Sequence, residues 1–324
     1  MNTVFLFLLI FIYFINIIYT INLNYTLLSN TKQKTKRNSS INIWIPSVGT
    51  TWNWILNSED IESDNNVDVL DIDLFDVDAK TINKLKNKGH HIICYFSVGT
   101  YEKWRPDASE FLKVDNLVRD KMEEWNENYI DITNPYLKPI MSKRFDLAKE
   151  KGCDGIEPDN IDIYLSKKVK KWKIPITVED QLSYDLWLTT EAHQRGLSIG
   201  MKNDIENASK MATYFDFAIN EECYDYDECS NYEPFINMNK AVFTAAYGDC
   251  CDKKFLDKLE KNTKGKNLSI IIKNEDQELV EDYVKFDPDN YDYDEICNGK
   301  KTTTDSTDSS LKNIMKYDLK LENV

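Results

Sequence analysis

Groups able to move a proton recur along this chain, each at the end of a short apolar run. They are Asp71 and Asp73 with Asp76, Tyr95 with Ser97, Asp131, Glu157-Pro158-Asp159-Asn160, Lys202-Asn203-Asp204 and Asn220-Glu221-Glu222. Alternation along an extended strand puts Asp71 with Asp73, and Glu157 with Asp159, on one face of their strands. Crowded carboxylates push each other's pKa apart, which equips one to donate a proton while another stays charged. Two carboxylates flanking a sugar bond are what glycoside hydrolysis requires. One protonates the leaving oxygen and the other faces an oxocarbenium-like centre. Trp44, Trp52, Trp54, Trp104 and Tyr247 offer flat apolar faces for sugar rings. Only three histidines occur (His90, His91 and His193), too few for a multi-histidine metal site, so the chemistry falls to carboxylates.

Strand ends meet at one place only if the strands run the same way. From Ile41 to Asn274, short runs rich in β-branched residues alternate with longer segments of helical period. The candidate strands are Ile41–Ile45, Val67–Phe75, His91–Val98, Tyr129–Ile132, Cys153–Glu157, Leu197–Met201, Phe215–Asn220, Ala241–Tyr247 and Leu268–Lys273. Helices are expected at Ala79–Lys88, Ile140–Lys151 and Thr177–Arg195, with Gly152 and Gly196 as the residues that end the last two. The alternation predicts the α/β class and, over this span, a single (β/α)8 TIM-like barrel, whose functional groups stand where strands end. Nine strands are one too many. Either the first lies outside the barrel or the last is an extra. No Gly-x-Gly-x-x-Gly or Walker sequence follows any strand, so a nucleotide-binding fold has no support.

The chain has 324 residues and a formal charge of −15, which argues against nucleic acid as a partner and favours cationic ones. Its first twenty residues carry no charge, and Val4 to Ile18 is apolar except for Asn16. That pattern predicts a cleaved secretory signal over residues 1–20, with a membrane anchor as the outcome if cleavage fails. Residues 21–40 read as a linker, 41–274 as the barrel and 275–324 as an acidic, partly disordered tail. Four sequons (at Asn24, Asn38, Asn207 and Asn267) and seven cysteines agree with a secreted glycoprotein holding up to three disulfides. Cys223 with Cys229, and the adjacent Cys250 and Cys251, sit in loop-like sequence suited to bridging, whereas Cys94 and Cys153 read as small buried hydrophobes.

Several blocks are similar to one known family. They are Trp44-Ile45-Pro46 with Gly49-Thr50-Thr51-Trp52, Asp71-Ile72-Asp73-Leu74-Phe75-Asp76, Cys94 to Gly99, and Trp104-Arg105-Pro106-Asp107. Further along come Lys151 to Asn160, Lys202-Asn203, Asn220-Glu221-Glu222-Cys223 and Asp227-Glu228-Cys229. In this order they resemble glycoside hydrolase family 114, the endo-α-1,4-polygalactosaminidases. The resemblance implies a secreted barrel enzyme that cleaves α-1,4-linked galactosamine polymers and needs no metal or organic cofactor. It makes Asp159 and Glu221 the catalytic pair. The retaining spacing suits Asp159 as nucleophile and Glu221 as general acid/base. Asp71, Asp73, Tyr95, Glu157, Asn160, Lys202, Asn203, Trp44, Trp52 and Tyr247 are then the expected substrate contacts, and a cationic amino-sugar polysaccharide the expected partner.

One position departs from the family pattern: Ala246 stands where a Glu is expected before Tyr247. If that Glu does chemistry, the alternative is a barrel that binds amino-sugar polysaccharide without turning it over. Asp154 reads as a structural hydrogen-bonder and His193 as a packing histidine.

Overall fold

The structure is a computed structural model, and it describes residues 43–58, 61, 66–122 and 125–297. The expected signal and linker and the segment beyond residue 297 lie outside the described residues.

Eight parallel strands form the barrel wall: β1 (Trp52–Ile55), β2 (Val69–Asp73), β3 (His91–Ser97), β7 (Gly155–Asp159), β8 (Ser198–Lys202), β9 (Phe217–Glu221), β10 (Val242–Tyr247) and β11 (Ser269–Lys273). Between β3 and β7 a small antiparallel sheet is inserted, made of β4 (Thr100–Tyr101), β5 (Val118–Lys121) and β6 (Asn128–Ile130). This resolves the surplus of strands. Of Tyr129–Ile132, only Tyr129 and Ile130 lie in a strand, and that strand belongs to the insert, with Ile132 already in a turn. Ile41–Ile45 is not a strand where it is described, and the true first strand is Trp-Asn-Trp-Ile.

Helices pack outside the wall. They include α1 (Ala79–Asn87), α3 (Leu137–Lys151) and α4 (Val178–Gln194), close to their expected limits, with α2 (Ala108–Leu112) lying between α1 and α3. Helix α4 starts on a reciprocal capping box between Thr177 and Asp180. Helix α3 ends on Gly152 at φ 94°, a left-handed value that glycine adopts without a Cβ penalty.

Period-2 alternation splits each strand between two cores. Leu70, Ile72, Cys94, Phe96, Ile156, Ile199, Met201 and Ala218 face the helices. Trp52, Val69, Ile93, Phe217, Phe243 and Ile271 fill the barrel interior. Gly200 makes room for one of them, because a Cβ there would stand 2.3 Å from the Phe217 ring.

The wall closes between β1 and β11 largely through side chains. Trp52 Nε1 donates to Ser269 O at 2.8 Å, Ser269 Oγ to Thr50 O at 2.7 Å, and Lys273 Nζ to Asn53 Oδ1 at 2.8 Å. Residues past Asn274 complete the seam. Leu56 N–H donates to Leu279 O at 2.9 Å, Asn53 Nδ2 to Glu281 O at 2.8 Å, and β12 (Val284–Phe286) pairs antiparallel with β11. Residues 275–297 are therefore structural rather than a loose tail, because the carbonyls of this acidic stretch satisfy the open edge of β1.

The disulfides among the described residues are Cys94–Cys153, Cys223–Cys229 and Cys251–Cys297, and Cys250 is buried outside them. Cys94 and Cys153 are thus bonded rather than merely buried. Of the two sequons on described residues, the Asn207 side chain is buried and donates to Tyr164 and Asp204, while Asn267 is exposed.

Candidate active site

Three strands that are neighbours in the wall, β7, β8 and β9, end in Asp159, Lys202 and Glu221. The residue after each strand turns the chain in a left-handed conformation: Asn160 at φ 63°, Asn203 at 49° and Glu222 at 60°. Asn tolerates this region by local hydrogen bonding, and a Glu held there is the kind of backbone strain that collects at functional sites. Asn203 also braces its neighbour, its Oδ1 accepting from the Glu221 N–H at 3.0 Å.

The Lys202 ammonium lies at the centre. Its Nζ donates to Glu157 Oε1 at 2.9 Å and Asp159 Oδ1 at 3.0 Å, and it pairs with Glu221 Oε1 at 3.1 Å. It also stands 4.6 Å over the Trp54 ring. Burial works against the charged amine, but Asp159, Glu157 and Glu221 outweigh it and hold Lys202 well above the ordinary lysine range. Because one atom touches both Asp159 and Glu221, their facing oxygens cannot be farther apart than those two short contacts laid end to end.

The two acids differ in their hydrogen bonds. Asp159 Oδ2 accepts from Tyr95 Oη at 3.1 Å and from Asn160 Nδ2 at 2.8 Å, in addition to the Lys202 bond on Oδ1. Glu221 Oε2 accepts from Tyr247 Oη at 2.6 Å. Their side chains are 21% and 29% exposed, so both reach the opening of the barrel. Burial first, and then the negative charge of Glu221, raise the Tyr247 phenol, which stays a neutral donor.

Beneath this layer lies a second one that is sealed. Glu157 is fully buried, with Trp54 Nε1 donating to its Oε2 at 2.9 Å and Lys202 to its other oxygen. Burial raises Glu157 to about 7, with Lys202 opposing and Asp159 adding. Asp71 is also fully buried, and neither of its oxygens meets a donor. Burial, followed by the charge of Glu157, pushes Asp71 well above the carboxylate range. Burial thus favours its neutral form, which can donate towards Glu157.

Five expected substrate contacts need correction on this geometry. Asp71 and Glu157 are sealed below the opening. Asp73 is clasped by Arg105, whose two terminal nitrogens donate to its oxygens at 2.9 and 2.7 Å, and it also accepts the Phe75 N–H at 2.7 Å. Trp44 stacks on His91 with ring centres 4.2 Å apart, at the start of β3 and hence at the opposite end of the barrel from Asp159. Trp52 begins β1, is buried, and serves the seam. Trp54 is buried under Lys202 and supports the site rather than offering a platform. Tyr95, Asn160, Lys202, Asn203 and Tyr247 do gather around the two acids.

Asp154 takes the structural part expected of it, accepting from Lys86 Nζ at 2.7 Å and from the Ile92 N–H at 3.0 Å. His193 shares 2.8 Å with Asp216 Oδ2. Two groups close to the site were not expected, Glu127 and Thr100 of the inserted sheet. The two-residue strand that holds Thr100 and the turn that holds Glu127 carry no periodic signal.

As for ions, Lys202 already stands where a cation would sit among the three carboxylates. Among the described residues, Asp249, Cys250 and Cys251 are close enough together to share a metal, but the Cys251 sulfur is committed to its disulfide with Cys297.

A (β/α)8 wall that delivers two solvent-reaching carboxylates from separate strands to one opening has the architecture of a glycoside hydrolase, and comparison with known proteins narrows the class. A profile described as glycoside-hydrolase family GH114 matches residues 33–290, and the chain belongs to that family. A crystal structure of Aspergillus fumigatus Ega3 in complex with galactosamine is similar at 32% identity and a TM-score of 0.69, over 76% of this chain and 98% of that one. The glycoside hydrolase domain of PelA from Pseudomonas aeruginosa shares the fold at 14% identity and a TM-score of 0.54, over 72% of this chain and 97% of that one. Comparison with curated proteins gave no match.

Proposed function

We propose that this glycoside hydrolase is secreted and cleaves α-1,4-linked galactosamine polysaccharide with retention, using Asp159 as nucleophile and Glu221 as general acid/base. The observation that carries the reading is the Lys202 ammonium held between the two acids. It caps the distance between their facing oxygens below the ~6.5–9.5 Å of an inverting pair, which favours the closer ~5–5.5 Å retaining arrangement. Asp159 attacks the anomeric carbon as Glu221 protonates the departing oxygen. Glu221 then takes a proton from the water that releases the sugar from Asp159. The hydrogen-bond asymmetry supports this division of labour, because protonating Asp159 would sacrifice more donors than protonating Glu221.

The net charge of −15 favours a polymer bearing free amines, and Ega3, at 32% identity, was crystallised with galactosamine. Three disulfides among the described residues and the uncharged apolar N-terminus support export. Ala246 does not weaken the enzymatic reading. It packs in the layer between sheet and helices, so alanine there removes no carboxylate from the opening.

The test is the release of reducing ends from an α-1,4-galactosamine oligomer, with the anomeric configuration of the first product followed by NMR. The α anomer is expected first. Glu221→Gln should bind the oligomer normally and lose at least about 10³-fold in turnover. Unchanged turnover in that variant rejects the assignment.

A further inference from the structure

Glu127 is nearly buried at the turn into β6, where its carbonyl accepts the Met122 N–H at 2.8 Å. Its Oε2 lies 2.5 Å from Thr100 Oγ1, which lies 2.5 Å from Ser97 Oγ. Ser97 Oγ is also approached by two N–H donors, Thr100 N and Asn160 Nδ2, each at 3.1 Å. A hydroxyl has two acceptor sites and one hydrogen. Both acceptor sites on Ser97 are taken by these N–H groups, so its own hydrogen must go to Thr100 Oγ1. Thr100 then gives its single hydrogen to Glu127. Every bond in the chain points the same way, from Asn160 towards the Glu127 carboxylate.

The direction matters at the far end. Asn160 Nδ2 has two hydrogens, and with one spent on Ser97 the other is aimed at Asp159 Oδ2, 2.8 Å away. The Asn160 backbone needs such anchoring, being left-handed at φ 63°. It is also pressed by Gly99, where a Cβ would come within 2.0 Å of the Asn160 carbonyl oxygen. The charged groups facing Glu127 are Glu102, Asp159 and Arg105, none of which donates to its Oε2.

We propose that Glu127 is a positioning residue for the nucleophile: as terminal acceptor of a one-way chain through Thr100 and Ser97, it fixes the Asn160 amide and thereby the orientation of Asp159. The proposal rests on the reading of Asp159 as nucleophile. A displaced nucleophile costs rate rather than substrate affinity.

The experiment is single-turnover cleavage of an α-1,4-galactosamine oligomer by Glu127→Ala, Glu127→Gln, Thr100→Val and Asp159→Asn. Glu127→Ala and Thr100→Val should cut the saturated rate by about 10- to 100-fold with KM unchanged. Glu127→Gln, which keeps an acceptor oxygen, should restore most of it. Full rate in Glu127→Ala or Thr100→Val beside an inactive Asp159→Asn overturns the positioning role alone. So does a change confined to KM, or a Gln variant no better than Ala. Should Glu127→Ala fail to fold, the near-isosteric Thr100→Val decides the question by itself. Turnover surviving in Asp159→Asn instead removes the nucleophile assignment beneath the proposal.

Discussion

The two ends of the barrel interior are built from the same strands and on opposite principles. At the strand starts, Trp52, Val69, Ile93, Phe217 and Phe243 pack without polar atoms, apart from the Trp52 indole N–H, which finds a carbonyl. At the strand ends, Asp73, Asp159, Lys202, Glu221 and Tyr247 crowd charge into a partly dry space. The lower end stabilises by burying apolar area, whereas the upper end is tolerable only because each charge has a partner. The contrast shows that stability and chemistry can be separated along a single strand, residue by residue.

Replacing Lys202 should break the upper end most completely. Lys202→Met leaves Glu157 buried without its cation and removes the contact that holds Asp159 and Glu221 together. We expect a loss of about 3–5 kcal/mol in stability, as for breaking a buried ion pair, together with turnover reduced beyond detection. Denaturant unfolding and a reducing-end assay check both. A folded, active variant would show that the ammonium does not organise the site.

Phe217→Ala should cost a similar ~3–5 kcal/mol by opening a cavity beside Gly200. Yet the surviving folded molecules should turn over within about twofold of the parent. A large fall in turnover per folded molecule would mean that the two ends are coupled.

The smallest effect is on the pH dependence of stability. Burial raises Glu157 and Glu127 to about 7 and Asp204 to about 6, all above their unfolded values. The native state therefore holds protons that the unfolded chain has already released. The resulting stabilisation is complete below about pH 4 and is lost as pH rises through 7. Tm should fall between pH 5 and 8, and Glu127→Gln should flatten part of that slope. A Tm that rises over the interval contradicts the burial of these acids.

Much of the upper end was legible in the sequence because it obeys alternation. Glu157 and Asp159 are two residues apart on one strand, and Tyr95, Lys202 and Glu221 each close an apolar run. Burial, however, is a matter of height in the barrel. Asp71 and Asp73 differ by one step of the alternation, but one is sealed against Glu157 and the other is clasped by Arg105 from a loop. Sequence could not show either partner. β1 was missed because Trp-Asn-Trp-Ile is too short for a period and is buried on both faces. Ile41–Ile45 alternates cleanly yet pairs with nothing where it is described. The hydroxyl chain to Glu127 was invisible for a different reason: it joins a loop, a two-residue strand and a turn, and only the folded geometry orders them.

The seam between β1 and β11 has a bearing on how the chain matures. Asn53 meets Glu281 across 228 positions, so the cylinder cannot be completed until nearly the whole polypeptide is present. Contacts that distant are made late and slowly. Until they form, the edge of β1 is an open template for stray pairing. During synthesis that edge therefore stays uncovered until β11 and the residues around Leu279 and Glu281 have emerged.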